Sequence, residues 1–599
     1  MFLKKVEIEG YRAAGDGVLE CELPGRFAVL AGPNSGGKTT VSDSILLTHR
    51  DVFPRVGRPG VANLSAEAGV REISVEYSMD DDSASPLAAA LSGQPTLAWR
   101  ASLSPSMGRV RSSLENFPLN ENQLPVLHLS PVRDPVRDLG GSQAWLVVEA
   151  LKAEALRATG DRSLGAFRGM VQELMGKLLA TEPALGTETR IADRLRELTD
   201  GTRRRSSFMA GSGVDDTTLA RLLEFVMAQD GGGRFDARRL EVEGLGYANL
   251  LQIAVVLAAI PDLAHEGAYD PAEGSPEPPA EDEDGEAERS EDEMRAELSE
   301  AQLRRLEEDG SLFARSFHAV IVLEEPEAHL QPQLQHALIT HLRSVVDRRP
   351  ELQVIITTHS DQVIAACDPE HLVLFGQDGL GRPSPTSVAS LGLSPADLRN
   401  ARRHLDASRS ASIFADSSLL VEGITDAITV RAFGRRWANT PEKRRFIEAL
   451  PITAVGSRVG SWIPNLLCTP GKEIVRKVAV LADSDGSPPP DWVAGTESDR
   501  FLYVQSNPTL EPSLVDANPQ LVADIVSDMS PGWTRDESVE AIANYFRETG
   551  RKRKADFAER IAAACEESTI PVEVPENVRA VLDFLWDGHQ RDPHEVAEP

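Results

Sequence analysis

The stretch Gly32-Pro33-Asn34-Ser35-Gly36-Gly37-Lys38-Thr39 fits the phosphate-binding pattern G-x-x-x-x-G-K-[ST]. It follows the apolar run 27–31 and precedes an amphipathic segment, which predicts a strand, a loop and a helix. In such a loop backbone N–H groups face a phosphate, the lysine reaches the β and γ phosphates, and the threonine hydroxyl binds Mg²⁺. A plain glycine-rich turn is the alternative interpretation. The candidate ATP-binding residues are Gly32, Asn34, Gly36, Gly37, Lys38, Thr39, Thr40 and Glu324.

Paired carboxylates follow a second predicted strand, 319–323, in the run Glu324-Glu325-Pro326-Glu327. Adjacent carboxylates at the end of a buried strand are costly without a cation, and a magnesium nucleotide supplies one. We therefore expect Glu324 to hold magnesium through water and Glu325 to polarise the attacking water. An acid-rich helix N-terminus is the plainer interpretation of the same residues.

His359 follows the strand-like run 354–356 and two threonines, and it resembles the switch histidine of ABC-type ATPase heads, which senses the γ-phosphate. The segment 244–249, Gly-Leu-Gly-Tyr-Ala-Asn, resembles a divergent ABC signature that lacks the usual Ser-Gly-Gly core. The segment 128–134 occupies the position of the coupling loop in ABC-type ATPase heads. Residues 1–405 thus resemble an ABC/SMC-type P-loop ATPase head of α/β fold, with Glu325 and His359 as implied catalytic residues.

A second group of acids lies near the C-terminal side of the chain. Glu422 ends the apolar run 419–421 before a glycine turn, and Asp483 and Asp485 follow the run 478–482. Carboxylates beyond neighbouring strands provide the oxygen ligands that Mg²⁺ or Mn²⁺ prefers. This Glu…Asp-x-Asp order on an α/β block resembles the Toprim domain of topoisomerases, primases and related nucleases. Asp-x-Asp-Gly is also a common turn sequence.

An ABC-type head followed by a Toprim domain resembles the OLD (overcoming lysogenization defect) family of ATP-dependent nucleases, whose relatives include the nuclease subunit of Gabija defence systems. The resemblance implies two-metal phosphodiester hydrolysis. It also implies that Lys554 faces the scissile phosphate, although Lys552 in the same basic run competes for that role and a solvated basic turn is the plainer interpretation. The implied metal ligands are Glu422, Asp426, Asp483, Asp485 and Glu511.

The predicted domains follow these motifs. Residues 1–405 form the ATPase domain, 411–515 the Toprim nuclease domain, and 516–599 a helical C-terminal part. Within the first, 145–230 is a helical insert that the resemblance assigns to dimerisation. Residues 266–293 are too rich in Pro, Glu, Asp and Ser to bury a core, which predicts an acidic disordered linker. A DNA-mimicking acidic arm is the alternative.

Composition limits the partners. The 599 residues contain 62 Lys and Arg against 93 Asp and Glu, a formal charge of −31. Such a charge argues against broad coating of nucleic acid or anionic membrane, although a local groove or bound metal still allows DNA binding. The four cysteines are widely spaced, which excludes a disulfide framework, and no signal peptide or membrane span is evident. We expect a soluble cytoplasmic protein.

Together these patterns predict an ATP-regulated, divalent-metal-dependent DNA endonuclease that forms a homodimer or a higher even oligomer. Antiphage defence, with a defence-system partner protein, is the biological role that the resemblance implies. Two alternatives remain open. One is an ATPase sensor whose Toprim domain cleaves RNA such as tRNA, and the other is a nucleotide-gated scaffold with an inactive metal site.

Overall fold

Sheets of seven, five and four strands organise the described part of the chain in a computed structural model. The structure describes residues 1–49, 52–53, 71–79, 87, 96–104, 109–113, 123–139, 145–159, 163–198, 208–211, 213–229, 232–262, 317–378, 381–456, 458–494, 496, 498–567 and 571–590. The predicted linker 266–293 lies outside these residues.

The strands of the described residues are numbered in chain order. They are Phe2–Glu9 (β1), Val18–Glu22 (β2), Phe27–Ala31 (β3), Val52–Phe53 (β4), Arg71–Ser78 (β5), Thr96–Ser104 (β6), Arg109–Ser113 (β7), Val126–Leu129 (β8), Val226–Met227 (β9), Arg238–Arg239 (β10), Ala319–Glu324 (β11), Leu352–Thr358 (β12), Leu372–Gln377 (β13), Pro383–Ser387 (β14), Ser417–Val421 (β15), Ile452–Ala454 (β16), Lys477–Asp483 (β17) and Phe501–Ser506 (β18).

The α-helices of the same residues connect and cover these sheets. They are Lys38–Thr48, Pro135–Asp138, Trp145–Thr159, Gly165–Leu179, Glu182–Leu198, Asp216–Leu222, Leu245–Ala259, Pro332–Arg348, Asp361–Ala365, Pro395–His404, Ala407–Ser410, Ile424–Trp437, Pro441–Ala449, Trp462–Leu467, Asp491–Ala494, Leu510–Ser513, Pro519–Met529, Val539–Glu548, Lys554–Glu566 and Glu576–Gln590.

The seven-stranded sheet carries the phosphate-binding loop. Its order is β14-β13-β3-β12-β11-β8-β4, and every neighbouring pair is parallel except β13 with β14. β11 and β12 are buried along their whole length, as continuous apolar runs are when helices or sheets cover both faces. Parallel strands end at one edge of a sheet. The loop after β3, Glu324 at the end of β11 and His359 after β12 therefore meet there.

The four-stranded sheet carries the second acidic group. Its order is β16-β15-β17-β18, with all pairs parallel. Glu422 follows β15 and Asp483 ends β17, so both lie at the carboxyl edge of adjacent strands. Helices 424–437, 519–529 and 576–590 pack on one face of this sheet. The other face, through Leu420 and Val478, joins the apolar core of the seven-stranded sheet.

The antiparallel sheet, β2-β1-β5-β6-β7, covers the opposite face of the seven-stranded sheet. Its inward side chains and the helix Lys38–Thr48 form a separate apolar cluster. Each fully buried Val, Leu or Ile in such a cluster contributes roughly 1.5–3 kcal/mol relative to exposure. The mixed α/β fold predicted from the sequence is confirmed by these sheets and their helices.

Four helices and the short strand β9 lie in the described parts of residues 145–230, where a helical dimerisation insert is predicted. Helices 165–179 and 182–198 expose a row of large apolar side chains on their surface. These are Met170, Leu174, Leu178, Leu185 and Ile191. Dimerisation through them stays a prediction. None of the helices in the described ranges is long and apolar enough to cross a bilayer.

Candidate nucleotide site and carboxylate cluster

The loop after β3 has the backbone geometry of an anion-binding turn. Ser35 and Gly37 have φ of 61° and 97°, in the left-handed region that glycine adopts most readily. Gly32 approaches β13 so closely that a Cβ on residue 32 would lie 2.7 Å from the Cβ of Phe375. The glycine pattern thus has a steric cause at Gly32 and a conformational cause at Gly37.

Lys38 lies inside this loop. Its Nζ donates hydrogen bonds of 2.8 Å to the carbonyls of Gly32 and Pro33 and lies 3.3 Å from Nδ1 of His359. Burial lowers the pKa of Lys38 to about 8, although nearby glutamates favour the charged form. An anionic ligand would restore the stability of this buried ammonium, as expected for the lysine of a phosphate site.

The other predicted loop residues divide into two sets. Asn34 and Thr39 are exposed at the carboxyl edge of the sheet, where a nucleotide could reach them. Thr40 is buried, and its hydroxyl accepts a hydrogen bond of 3.4 Å from the backbone N–H of Ala13. Thr40 therefore ties the loop to the antiparallel sheet, and any contact with nucleotide stays a prediction.

Glu324, the predicted magnesium residue, is buried and hydrogen bonded. Its Oε1 accepts from Oγ of Ser42 at 2.5 Å and lies 3.2 Å from Nε2 of His128 on β8. Asp43 forms an ion pair with Arg12 and lies close enough to the Glu324 carboxylate for the two negative charges to repel each other. Burial, together with the charge of Glu324, raises the pKa of Asp43 to about 6 in spite of Arg12.

Glu325 and His359 face each other at the same edge. Nε2 of His359 lies 3.5 Å from Oε1 of Glu325. Burial, and then the charge of Lys38, lowers the pKa of His359. Because an ammonium group can only donate, Nδ1 accepts from Lys38 and the ring proton is assigned to Nε2, toward Glu325. Glu327 holds the backbone of His359 by accepting a hydrogen bond from its N–H at 2.9 Å.

The signature-like segment 244–249 packs against the turn that follows these glutamates. A Cβ on Gly246 would lie 2.5 Å from the carbonyl oxygen of His329, so only glycine fits this approach. Nδ2 of Asn249 donates to the carbonyl of Ala328 at 3.2 Å. Leu245 and Tyr247 are more than half exposed at the start of the helix. Capping of a partner's nucleotide by this segment stays a prediction.

A second group of acids, of which Asp426 and Glu511 are buried and Glu422 and Asp483 half-buried, lies at the edge of the four-stranded sheet. Burial, reinforced by the charges of Asp426 and Glu511, raises the pKa of Asp483 to about 8. Burial also raises the pKa values of Glu422 and Asp426. The backbone helps to hold the group, since Asp483 accepts from the N–H of Leu510 at 2.9 Å. We call Glu422, Asp426, Asp483 and Glu511 the carboxylate cluster.

Lys554 is the cation of this cluster. Its Nζ lies 2.8 Å from Oε1 of Glu511 and 4.0 Å from Oδ2 of Asp483. Burial disfavours its charged form, but the neighbouring carboxylates outweigh burial and raise the pKa of Lys554. Lys552, the competing candidate, is exposed. The structure therefore brings Lys554 to the acids, while its part in a reaction stays a prediction.

Asp485 turns toward a different cation. Its backbone has φ of 46°, and its Oδ2 accepts from Nη2 of Arg458 at 2.7 Å. Arg458 follows β16 and also lies close enough to Glu422 to favour its ionised form. This arginine had no signal in the sequence, because it reaches Asp485 only through the order of the strands.

The donor set fits a hard divalent ion in its chemistry, because every candidate ligand is a carboxylate oxygen. Burial, and then repulsion from Asp426 and Glu511, raises the pKa of Asp483, and a bound cation would offset both effects. Within the described ranges, however, no group of three His, Cys, Asp or Glu side chains is arranged so that it could hold one metal ion. Lys554 and Arg458 occupy carboxylate oxygens that such an ion would need.

Residues 304–364 match a family model described as an AAA ATPase domain. This segment includes Glu324, Glu325 and His359. This segment of the chain is therefore similar to part of an AAA-type ATPase domain.

Two curated relatives align with parts of the chain. Uncharacterized protein YbjD of Escherichia coli (strain K12) is 28% identical over 117 residues, which is 20% of this chain and 20% of that protein. Septu protein PtuA of Bacillus thuringiensis is 30% identical over 74 residues, or 12% of this chain and 18% of that protein. The aligned part thus spans about a fifth of each relative.

Solved structures are also similar to parts of the chain. An SMC head bound to the C-winged helix domain of ScpA has 13% identity and a TM-score of 0.32, and covers 64% of this chain and 97% of that one. The C-terminal region of the Burkholderia pseudomallei OLD protein has 19% identity and a TM-score of 0.21, with 29% and 98% covered. These TM-scores are too low to carry an argument.

Three side chains contact Glu324 in ways that the sequence did not predict, although two of them belong to the segment 128–134 placed at the coupling-loop position above. Ser42, His128 and Arg133 contact Glu324 from two other elements. Ser42 lies one turn beyond Thr39 on the same helix, and this spacing was a usable signal. His128 and Arg133 come from β8 and the turn after it, and only the parallel register of β8 with β11 brings them to the site.

Proposed function

We propose that the protein is an ATP-regulated, divalent-metal-dependent endonuclease that cleaves DNA phosphodiester bonds. The observation that carries this proposal is the carboxylate cluster with Lys554 among its acids, in the same chain as an ATPase domain. A cluster of buried and half-buried acids that costs free energy without a cation is consistent with a metal-binding site. Residues 411–515 would then be the nuclease domain and 516–599 its helical extension.

At the proposed nuclease site, Glu422, Asp426, Asp483, Asp485 and Glu511 would hold Mg²⁺ or Mn²⁺. When bound, such ions supply a water of lowered pKa and stabilise the leaving oxygen. Lys554 would neutralise the charge that develops on the scissile phosphate, once its ammonium group leaves Glu511. The metal cluster would supply the positive charge that this acidic chain lacks overall.

At the ATPase site, Lys38 and the loop N–H groups would bind the β and γ phosphates, and Thr39 and Glu324 would hold Mg²⁺. Glu325 would orient the attacking water, and His359 would sense the γ-phosphate from its position between Lys38 and Glu325. Nucleotide would act on the nuclease through the core that both sheets share. Residues 1–405 would form the ATPase domain.

The remaining proposals concern assembly and context. The helices within 145–230 would form a homodimer or a higher even oligomer, and a cytoplasmic role in antiphage defence with a partner protein follows only from the OLD resemblance. RNA such as tRNA remains the alternative substrate.

One observation favours the scaffold alternative. No three metal-ligating side chains are gathered in the described ranges, and basic side chains pair with three of the acids, Asp483, Asp485 and Glu511. A nucleotide-gated scaffold would keep this arrangement permanently, whereas a nuclease must exchange it for metal.

The deciding experiment incubates the protein with supercoiled plasmid and Mg²⁺ or Mn²⁺, with and without ATP, beside an Asp483→Ala variant. We expect nicking or linearisation that the variant loses, and the ATP lanes give the sign of regulation. A parallel reaction with tRNA distinguishes the alternative substrate. Intact DNA and tRNA in every lane would favour the scaffold, and cleavage by Asp483→Ala would disprove the site.

A further inference from the structure

Arg133 lies at the ATPase site with part of its guanidinium unused. Its Nε donates to the carbonyl of Ser130 at 3.0 Å, and its Nη2 donates to the carbonyl of Glu324 at 2.6 Å. Its Nη1 is buried and has no hydrogen-bond partner among the described residues. A buried cationic donor without a partner is rare, because desolvation of its N–H groups is then uncompensated.

The turn that carries Arg133 is held in place on both sides. Oγ of Ser130 donates to the carbonyl of Val132 at 2.8 Å, and the carboxylate of Asp134 caps the next helix by accepting from the N–H of Arg137 at 3.1 Å. Parallel pairing of β8 with β11 fixes the start of the turn beside Glu324. Arg133 is therefore a positioned side chain rather than a mobile surface one.

The acids around Arg133 do not satisfy Nη1. The Glu324 carboxylate is engaged by Ser42 and His128, and Oε1 of Glu327 accepts from the Thr358 hydroxyl at 2.7 Å. Oε2 of Glu327 is likewise buried without a hydrogen-bond partner in the described ranges. A structural pairing of Arg133 with Glu327 is therefore the rival explanation.

The charges of this edge connect Arg133 to the phosphate loop. Glu325 and Glu327 favour the charged forms of Lys38, His359 and Arg133 alike, so all three groups lie around the same two acids. Burial nevertheless lowers the pKa of Arg133 to about 10. A further anion at this edge would satisfy the unused N–H groups and offset the burial of the guanidinium.

We propose that Arg133 binds the γ-phosphate of ATP from within the same chain and makes the site prefer ATP over ADP. This inference rests on the ATP-binding function proposed above. Lys38, which approaches from β3, would hold the β–γ region, while Arg133, which approaches from β8, would contact the terminal phosphate from the opposite side of β11 and β12. Arginine suits this role because its planar fork can engage two phosphate oxygens while Nε and Nη2 stay bonded to the protein.

The test compares two nucleotides on the intact protein. Binding of ADP and of the non-hydrolysable triphosphate AMP-PNP, both with Mg²⁺, is measured by calorimetry for wild type, Arg133→Gln and Arg137→Gln. Arg137 is exposed four residues away and serves as the matched control. We expect wild type and Arg137→Gln to prefer the triphosphate, and Arg133→Gln to bind it about 10- to 100-fold more weakly, with ADP affinity changed less than about twofold.

A preference for triphosphate that survives in Arg133→Gln would overturn the inference and favour pairing with Glu327. An equal loss for both nucleotides in Arg133→Gln and in the charge-conserving Arg133→Lys would also overturn it, because the arginine would then act on the whole loop. Partial retention of the preference in Arg133→Lys would support a charge contact. Wild-type protein that binds neither nucleotide would instead disprove the proposed ATP-binding function itself.

Discussion

The nucleotide site and the carboxylate cluster are opposite solutions to one electrostatic problem. Burial lowers the pKa of Lys38 to about 8 and, with neighbouring acids, raises the pKa of Asp483 to about 8. Each buried charge is thus pushed toward its neutral form, but from opposite directions. An added anion would stabilise the charged form of Lys38, whereas an added cation would stabilise the charged form of Asp483.

Both sites lie at the carboxyl edge of a parallel sheet, yet they use different donors. The loop after β3 offers backbone N–H groups, which require glycine where the chain approaches β13. The edge of β15 and β17 offers side-chain oxygens, which require acids and a cation to balance them.

The largest expected effect concerns Lys554. The ammonium group of Lys554 lies among the acids. Lys554→Ala should therefore lower the rate of DNA cleavage by about 1,000-fold, as the loss of one hydrogen-bond donor to a transition state can do. Lys552→Ala removes an exposed lysine from the same basic run and should leave cleavage within about twofold. Initial rates of plasmid nicking measure both. Equal loss in the two variants would mean that the run acts only as a basic patch.

Lys38→Ala tests the anion side of the comparison. Loss of the ammonium group that faces His359 should weaken ATP binding at least about 100-fold, since charge-assisted phosphate contacts are strong. Lys177, an exposed lysine paired with Glu173, is the control position. Calorimetric titration with ATP gives the affinities. Metal-dependent cleavage without ATP should stay unchanged, and its disappearance would contradict two separable sites.

We expect acid to lower the free energy of unfolding of the half that contains the phosphate loop, because two histidines there are buried and neutral. Burial lowers the pKa of His49 to about 4 and that of His318 to about 3. The unfolded chain takes up these protons near pH 6.5 and the folded chain does not, so the free energy of unfolding falls as pH drops from about 6.5 toward 4. For His49 alone the loss approaches about 3 kcal/mol at pH 4.

Urea unfolding at pH 7.5 and pH 4.5 measures this loss. The variant His49→Gln should reduce the difference between the two pH values by about 2 kcal/mol, whatever its effect at pH 7.5. His341→Gln, at an exposed position, should leave the difference unchanged. The same difference in wild type and His49→Gln would show that His49 does not drive the acid sensitivity.

The smallest effect concerns the junction between the halves. Asp397 accepts hydrogen bonds of 2.9 Å from the hydroxyls of Ser394 and Ser461. Ser461 directly precedes helix 462–467. Asp397→Ala should lower the free energy of unfolding by about 1–2 kcal/mol and blunt the response of cleavage to ATP. Asp499→Ala, at an exposed position, is the control. If cleavage by Asp397→Ala still responded fully to ATP, this contact would not transmit the effect of ATP to the proposed nuclease site.

Much of the framework was predictable because it is encoded locally. The buried runs of β11, β12, β15 and β17 are continuous apolar segments, and the glycines and acids at their ends have spacings that belong to known chemistry. These strands appear where the apolar runs predict them. The antiparallel pairing of β5, β6 and β7 was not predicted, because nothing local in that part of the chain fixes its partners.

The contacts that complete each site were not predictable for a related reason. Arg133 reaches Glu324 across 191 positions of the chain, and Arg458 reaches Asp485 only because β16 lies beside β15. Arg133 lies in the segment 128–134 that was placed at the coupling-loop position, but nothing local predicts its contact with Glu324, and Arg458 looks like an ordinary surface residue in the sequence. Long-range register, rather than composition, decides which cation meets which acid.

β13 serves both halves of the molecule at consecutive residues. Phe375 backs the phosphate loop at Gly32, and a Cβ on Gly376 would lie 2.7–2.8 Å from backbone atoms of Glu473 and Ile474. A mutant screen that measures nucleotide binding and DNA cleavage separately would therefore recover mutations of this strand in both assays. Replacing Gly376 should create a double defect at a position that belongs to neither site, and no second mutation confined to one site should rescue both.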